Sequence, residues 1–114
     1  MSALGTMTLD ELQRLIAESK GEWEHIEFKR TTGDLQGGME TLCGFLNGSG
    51  GKVLFGVNTA GKVLGQDVGD STFQEVANAI RKIEPPAWIE QVRVPLDDTK
   101  EVLILQTTVH ADGP

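Results

Sequence analysis

Hydrophobic spacing divides the chain into short segments of differing period. Leu9, Leu12, Leu15 and Ile16 fall on one helical face, opened by Thr8-Leu-Asp-Glu11, which fits a capping box. The helix is expected to end near Ser19-Lys20-Gly21, because Gly21 suits the residue after a last turn. From Glu24 onward the period drops to two, with Ile26 and Phe28 facing one way and His25, Glu27 and Lys29 the other. Residues 31–38 are polar and glycine-rich and read as a loop. Met39, Leu42, Cys43 and Leu46 return to helical spacing. Asn47-Gly-Ser-Gly-Gly51 stops that helix. Lys52-Val-Leu-Phe-Gly-Val57 then forms a continuous apolar run of strand length, expected at the centre of a sheet.

Asn58-Thr-Ala-Gly61 reads as a turn and residues 62–64 as a short strand, so 54–64 is predicted to be a hairpin. Residues 65–69 form a loop. Asp70 or Ser71 can cap the next helix, Gln74 completing a box from Ser71, with Phe73, Val76, Ala77, Ile80 and Ile83 as its apolar stripe. Pro85-Pro86 ends it. Ile89, Gln91 and Arg93 alternate with Glu90, Val92 and Val94, the signature of a half-exposed strand. A turn over 96–100 leads to a strong strand over 101–109. The order α-β-α-β-β-α-β-β predicts an α+β fold, a two-layer domain around a mixed sheet. Residues 1–7 read as a flexible leader and 8–114 as one domain.

The 114 residues, 39% of them apolar, suffice for one modest core. No apolar run approaches the roughly 20 residues of a membrane span, and residues 1–7 lack the basic and apolar regions of a secretory signal. The one cysteine, Cys43, excludes an internal disulfide, fits a reducing cytoplasm and reads as a small buried hydrophobe. Seventeen acidic against ten basic residues give a net charge of −7. Phosphate contacts dominate nucleic-acid affinity, so this balance opposes such binding for the chain as a whole. No tyrosine, four phenylalanines and two tryptophans leave few stacking platforms.

Several residues together resemble the Schlafen AlbA_2 domain family. They are Glu22, Glu27-Phe28-Lys29, Phe45-Leu-Asn-Gly-Ser-Gly-Gly51, Phe55-Gly56-Val57, Gly65 and the Ile83-Glu84-Pro85 break before two late strands. The resemblance runs from about Glu22 to the C-terminus. It implies an α+β domain of DNA-binding type, found at the N-terminus of longer transcriptional regulators, often ahead of winged-helix regions. It also implies that the domain continues past Gly113-Pro114, so that this chain is truncated there. Animal members that resemble this pattern include RNA-cleaving nucleases with three carboxylates. Two of these match Glu22 and Glu27; at the place of the third stand Asn58 and Thr59.

Candidate chemistry follows from these residue types. A divalent-metal nuclease needs clustered oxygen ligands for Mg²⁺ or Mn²⁺; Glu22 and Glu27 supply two, and in place of the missing acid Asn58 can donate a carbonyl oxygen or Asp67 can substitute from the next loop. For phosphate contacts the candidates are Lys29, Arg30 and Lys52, backed by Lys62, Arg81 and Lys82. Trp23 and Trp88 can stack on bases or anchor a core. Gly48-Ser-Gly-Gly-Lys52 evokes a phosphate loop, but it runs helix, loop, strand, and Val53 follows the lysine, so a structural turn accounts for it better. His25 and His110 lie far apart with no cysteine-histidine cluster, which argues against a zinc site. The expected function is a non-enzymatic nucleic-acid-binding regulatory module without cofactor. The alternatives are a Schlafen-type metal nuclease and a protein-interaction or homodimerising domain using the first helix and a sheet edge. One patch formed by Lys29, Arg30 and Lys52 would favour nucleic acid over a protein-interaction domain, and clustering of Glu22, Glu27 and a third oxygen ligand would favour the nuclease.

Overall fold

The computed structural model describes residues 2–19, 25–83 and 87–108. Five strands form one mixed sheet in the order β1-β4-β5-β3-β2, with β1 Ser2–Thr6, β2 Ile26–Lys29, β3 Gly50–Phe55, β4 Ile89–Pro95 and β5 Glu101–Thr108. β5 lies antiparallel between β3 and β4, while β2 runs parallel to β3 and β1 parallel to β4. Three helices cover the sheet: α1 Leu9–Glu18, α2 Leu35–Leu46 and α3 Asp70–Arg81. This is an α+β domain with a mixed sheet.

Side-chain alternation assigns the core to two faces. Val53, Phe55, Leu103 and Leu105 pack with Met39 and Leu42 of α2 and with Val76 and Ile80 of α3. Leu54, Ile104, Val92 and Val94 pack with Ile26, Phe28 and, from α1, Leu12 and Ile16. The helices therefore lie on both sides, α1 adding a third layer to the two expected. The central strands require it: Val53, Leu54, Phe55, Leu103, Ile104 and Leu105 are all at most 1% exposed, so neither face is left to water.

The capping box forms as predicted. The Glu11 amide donates to Thr8 Oγ1 at 3.2 Å, and the Thr8 amide donates to Glu11 Oε1 at 3.2 Å. Other segments depart from the sequence reading. Ser2–Thr6, expected to be a loose leader, is the edge strand β1, in register with residues 89–93; its partner is more than eighty residues away, and five residues carry no period that could announce it. Within 31–38 a 3-10 turn, Thr32–Asp34, leads directly into α2, which includes Gly37 and Gly38. α3 is capped by Gly69, whose amide donates to Thr72 Oγ1 at 3.2 Å; Asp70 is thereby the first helical residue, where its charge suits the dipole. The hairpin over 54–64 narrows to a bridge between Val57 and Val63. Strand β4 is more buried than alternation implied: Ile89, Gln91, Val92 and Val94 are all buried, because helices pack on both of its faces.

Two glycines explain the Phe55-Gly56-Val57 motif. Gly56 adopts φ 110° and Gly65 φ 75°, conformations that side chains disfavour. The Gly56 carbonyl accepts from the amides of Leu64 and Gly65 at 2.8 and 2.9 Å, so the chain folds back at the end of β3. Packing places a different demand on Gly38: a Cβ there would lie 2.5 Å from Phe55 Cζ, so its absence lets α2 sit down on β3. At Gly44, six residues on, a Cβ would meet nothing within 4 Å.

These two positions make a matched test of the packing. Gly38→Ala is expected to destabilise the fold by about 1–3 kcal/mol through overpacking. Gly44→Ala is expected to stabilise it by up to about 1 kcal/mol through helix propensity. Urea unfolding followed by circular dichroism measures both; equal effects would contradict the close seat of α2.

Candidate functional site

The register of β2 on β3 decides which candidate residues can meet. Ile26 is paired with Lys52, Glu27 with Val53, Phe28 with Leu54 and Lys29 with Phe55. Lys52 therefore shares the α1 face with Leu54 and Ile26, while Glu27 and Lys29 share the α2 face with Val53 and Phe55. The sheet separates Lys29 from Lys52, and the three-residue basic patch does not assemble.

Lys29 is also neutralised. Its Nζ lies 2.8 Å from Asp34 Oδ2 and 4.0 Å from Glu27 Oε1. The hydrogen bond to Asp34 is the main reason that the ammonium pKa is raised, against a smaller opposing effect of burial. The same bond holds the Asp34 carboxyl below its ordinary value. Asp34 stands just before α2, a position the sequence reading assigned to a loop, so the partner of Lys29 was not foreseen. A lysine alternating with acids on a strand gave no sign of which acid would reach it.

Arg30 is exposed and Lys52 half-buried, and neither has an ion-pair partner among the described residues. Lys62 is likewise exposed and unpaired among them. It adjoins the Val57–Val63 bridge, and the Lys29 carbonyl beside Arg30 accepts from the amides of Gly56 and Val57. Arg30 and Lys62 thus lie on adjoining segments at the end of β2. Lys52 lies four residues back along the strand, about 13 Å at 3.3 Å per residue. Arg81 bonds Asn78 on its own helix, and Lys82 caps α3 on the opposite side from Lys52.

Of the oxygen ligands of the nuclease alternative, Glu27, Asn58 and Asp67 are among the described residues, and each is engaged elsewhere. Glu27 faces Lys29. Asn58 Oδ1 accepts from the amides of Ala60 and Lys62, each at 2.9 Å, and so holds its own turn. Asp67 is 3.2 Å from Lys100 Nζ. Among the described residues no group of three histidine, cysteine, aspartate or glutamate side chains could hold a metal. Glu22, Trp23 and His110 lie outside the described residues. Trp88 is 39% exposed, and its carbonyl accepts from Thr107 Oγ1. His25 is exposed, its ring 6.4 Å from that of Phe45. The turn over 47–51 is structural: a Cβ on Gly51 would strike the Phe45 ring at 2.6 Å. Cys43 is half-buried on the α2 wall rather than fully enclosed.

Two buried glutamines went unread. Gln66 accepts from the Thr32 amide at 2.8 Å and donates to Thr32 Oγ1 at 2.9 Å, while its backbone bridges Glu101. It ties the β2–α2 connection to β5. Gln91 is buried in β4, and its Oε1 has no hydrogen-bond partner among the described residues. Arg93 makes a two-point contact to Glu101, at 2.8 and 2.6 Å, with its guanidinium 4.7 Å from the centre of the Phe73 ring. That cation is committed to the fold.

The arrangement is that of a small α+β domain whose polar side chains mostly serve its own turns and strand ends. The chain belongs to the Schlafen AlbA_2 family, whose model matches residues 22–114. No curated protein matches it. No helix among the described residues is long and apolar enough to cross a membrane.

The Lys29–Asp34 pair has a pH signature. Asp34 titrates below its ordinary value when folded, so its contribution is present above that value and is lost as pH falls through the folded one. Lys29 titrates above its ordinary value, so its contribution is lost only in strong alkali, as pH rises through the raised value. Asp34→Asn is therefore expected to lower the urea midpoint slightly at neutral pH, and the difference from wild type is expected to shrink towards about pH 3. A gap that persists unchanged there would contradict the pairing.

Proposed function

We propose that this domain is a non-catalytic nucleic-acid-binding module with a regulatory role, which contacts the phosphate backbone through Arg30, Lys52 and Lys62. One observation carries the reading: among the described residues these three cations, at and beside the β2–β3 border, have no carboxylate in ion-pair reach, whereas Lys29, Arg93 and Lys100 are each held by one. Family membership supports the same reading. The track is short and the chain is acidic overall, so binding is weak, favours single strands over a rigid duplex and depends on low salt. No base-specific contact is proposed.

Three phosphate contacts give a slope of log K against log salt of about −2 on a single strand. Fluorescence anisotropy with labelled single-stranded DNA and RNA measures it. Arg30→Ala, Lys52→Ala and Lys62→Ala are each expected to make the slope shallower by about 0.7, and Lys29→Ala to leave it unchanged. No binding at low salt, or a dominant effect of Lys29→Ala, would overturn the assignment. The same samples incubated with Mn²⁺ are expected to stay intact on a gel; cleavage that Glu27→Gln abolishes would instead establish the metal nuclease.

A further inference from the structure

On the sheet face away from Lys52, α2 and α3 share one buried cluster through Met39, Leu42, Val76 and Ile80 and are open to solvent beside it. A groove of about 890 Å³ runs between them. Leu35, Met39 and Cys43 recur every four residues along its α2 wall, and Ala79 and Ile83 line the α3 wall. From Leu35 to Cys43 this apolar strip is about 12 Å long at 1.5 Å per residue, a little over two helical turns. Glu40 on α2 and Glu75 on α3 stand exposed on its rims, neither in an ion pair among the described residues. Lys82 is the one cation on the lining.

We propose that this groove docks an amphipathic helix of a partner protein, one that places apolar residues at i, i+3 or i+4 and i+7 on the strip and Lys or Arg beside them against Glu40 and Glu75. The length suits the two-turn spacing by which helices anchor in grooves. The groove is open to solvent rather than enclosed as a small-ligand pocket is. Acidic rims repel phosphate, which sets this surface apart from the nucleic-acid track. They also disfavour a second copy of this chain. α1 exposes Asp10, Glu11 and Glu18 against Arg14 alone, and a chain of net charge −7 offers no basic amphipathic helix among those described. The fitting occupant is a basic helix from another protein.

Cys43, the one thiol of the chain, sits in the groove wall and reports occupancy directly. The probe is a labelled 18-residue helical peptide with leucines on one face and flanking lysines, together with a twin in which every lysine is glutamate. Anisotropy is expected to show the lysine peptide binding at least about tenfold tighter than its twin, and saturation with it to slow alkylation of Cys43. The Glu40→Lys/Glu75→Lys variant, altered only at exposed helix positions, is expected to melt like wild type and to prefer the glutamate twin. The proposal is overturned if the two peptides bind alike, if neither binds, or if saturation leaves Cys43 alkylation unchanged. It is also overturned if sedimentation shows a dimer that already shields Cys43 without peptide. None of these readouts depends on nucleic-acid binding.

Discussion

Burial of the two middle strands on both faces is the constraint from which the rest follows. Residues 53–55 of β3 and 102–105 of β5 meet a helix-bearing layer above and below, and all are at most 1% exposed. An ionised side chain cannot be accommodated in those rows without a buried partner. Charge is therefore displaced outside those rows, as at Lys52 and Glu101, to the edge strand β2, as at Lys29, and to β4, as at Arg93. Where it lies deeper it is paired, as in the two-point contact of Arg93 with Glu101.

Alternation then fixes which charges are neighbours. Two lysines on adjacent strands of one short sheet would be expected to meet, yet the in-register pairing of Ile26 with Lys52 turns Lys29 to the other side. There it meets Asp34, which precedes α2. The close seat of α2 over Gly38 fixes the height of that helix, and its spacing from α3 leaves the groove open. The domain thus carries two unlike surfaces divided by the sheet, one with three cations that have no ion-pair partner among the described residues and one a groove with acidic rims.

Much of this was legible in the sequence. The capping box at Thr8 and Glu11, the helix ending at Asn47, the β3 run and the apolar stripe of α3 are local patterns, and each reappears at its place. The combination of Glu27-Phe28-Lys29, the glycine turn and Phe55-Gly56-Val57 pointed to the family that the match over 22–114 establishes. What depends on distant partners was not legible. β1 exists only because β4 offers an edge, and the partner of Lys29 depended on a helix start hidden by two glycines. Those glycines read as breakers but serve packing. Gln66 and Gln91 gave no signal, since an isolated glutamine carries no period and its partners lie on other elements.

The separation of the two surfaces by the sheet is most directly tested by amide chemical-shift mapping of the ¹⁵N-labelled domain during titration with a single-stranded oligonucleotide at low salt. The expected result is a set of shifts confined to the neighbourhood of Arg30, Lys52 and Lys62, with Gln36, Glu40, Glu75 and Lys82 unmoved. Shifts centred on the groove between α2 and α3, or on Lys29 and Asp34, would contradict the account.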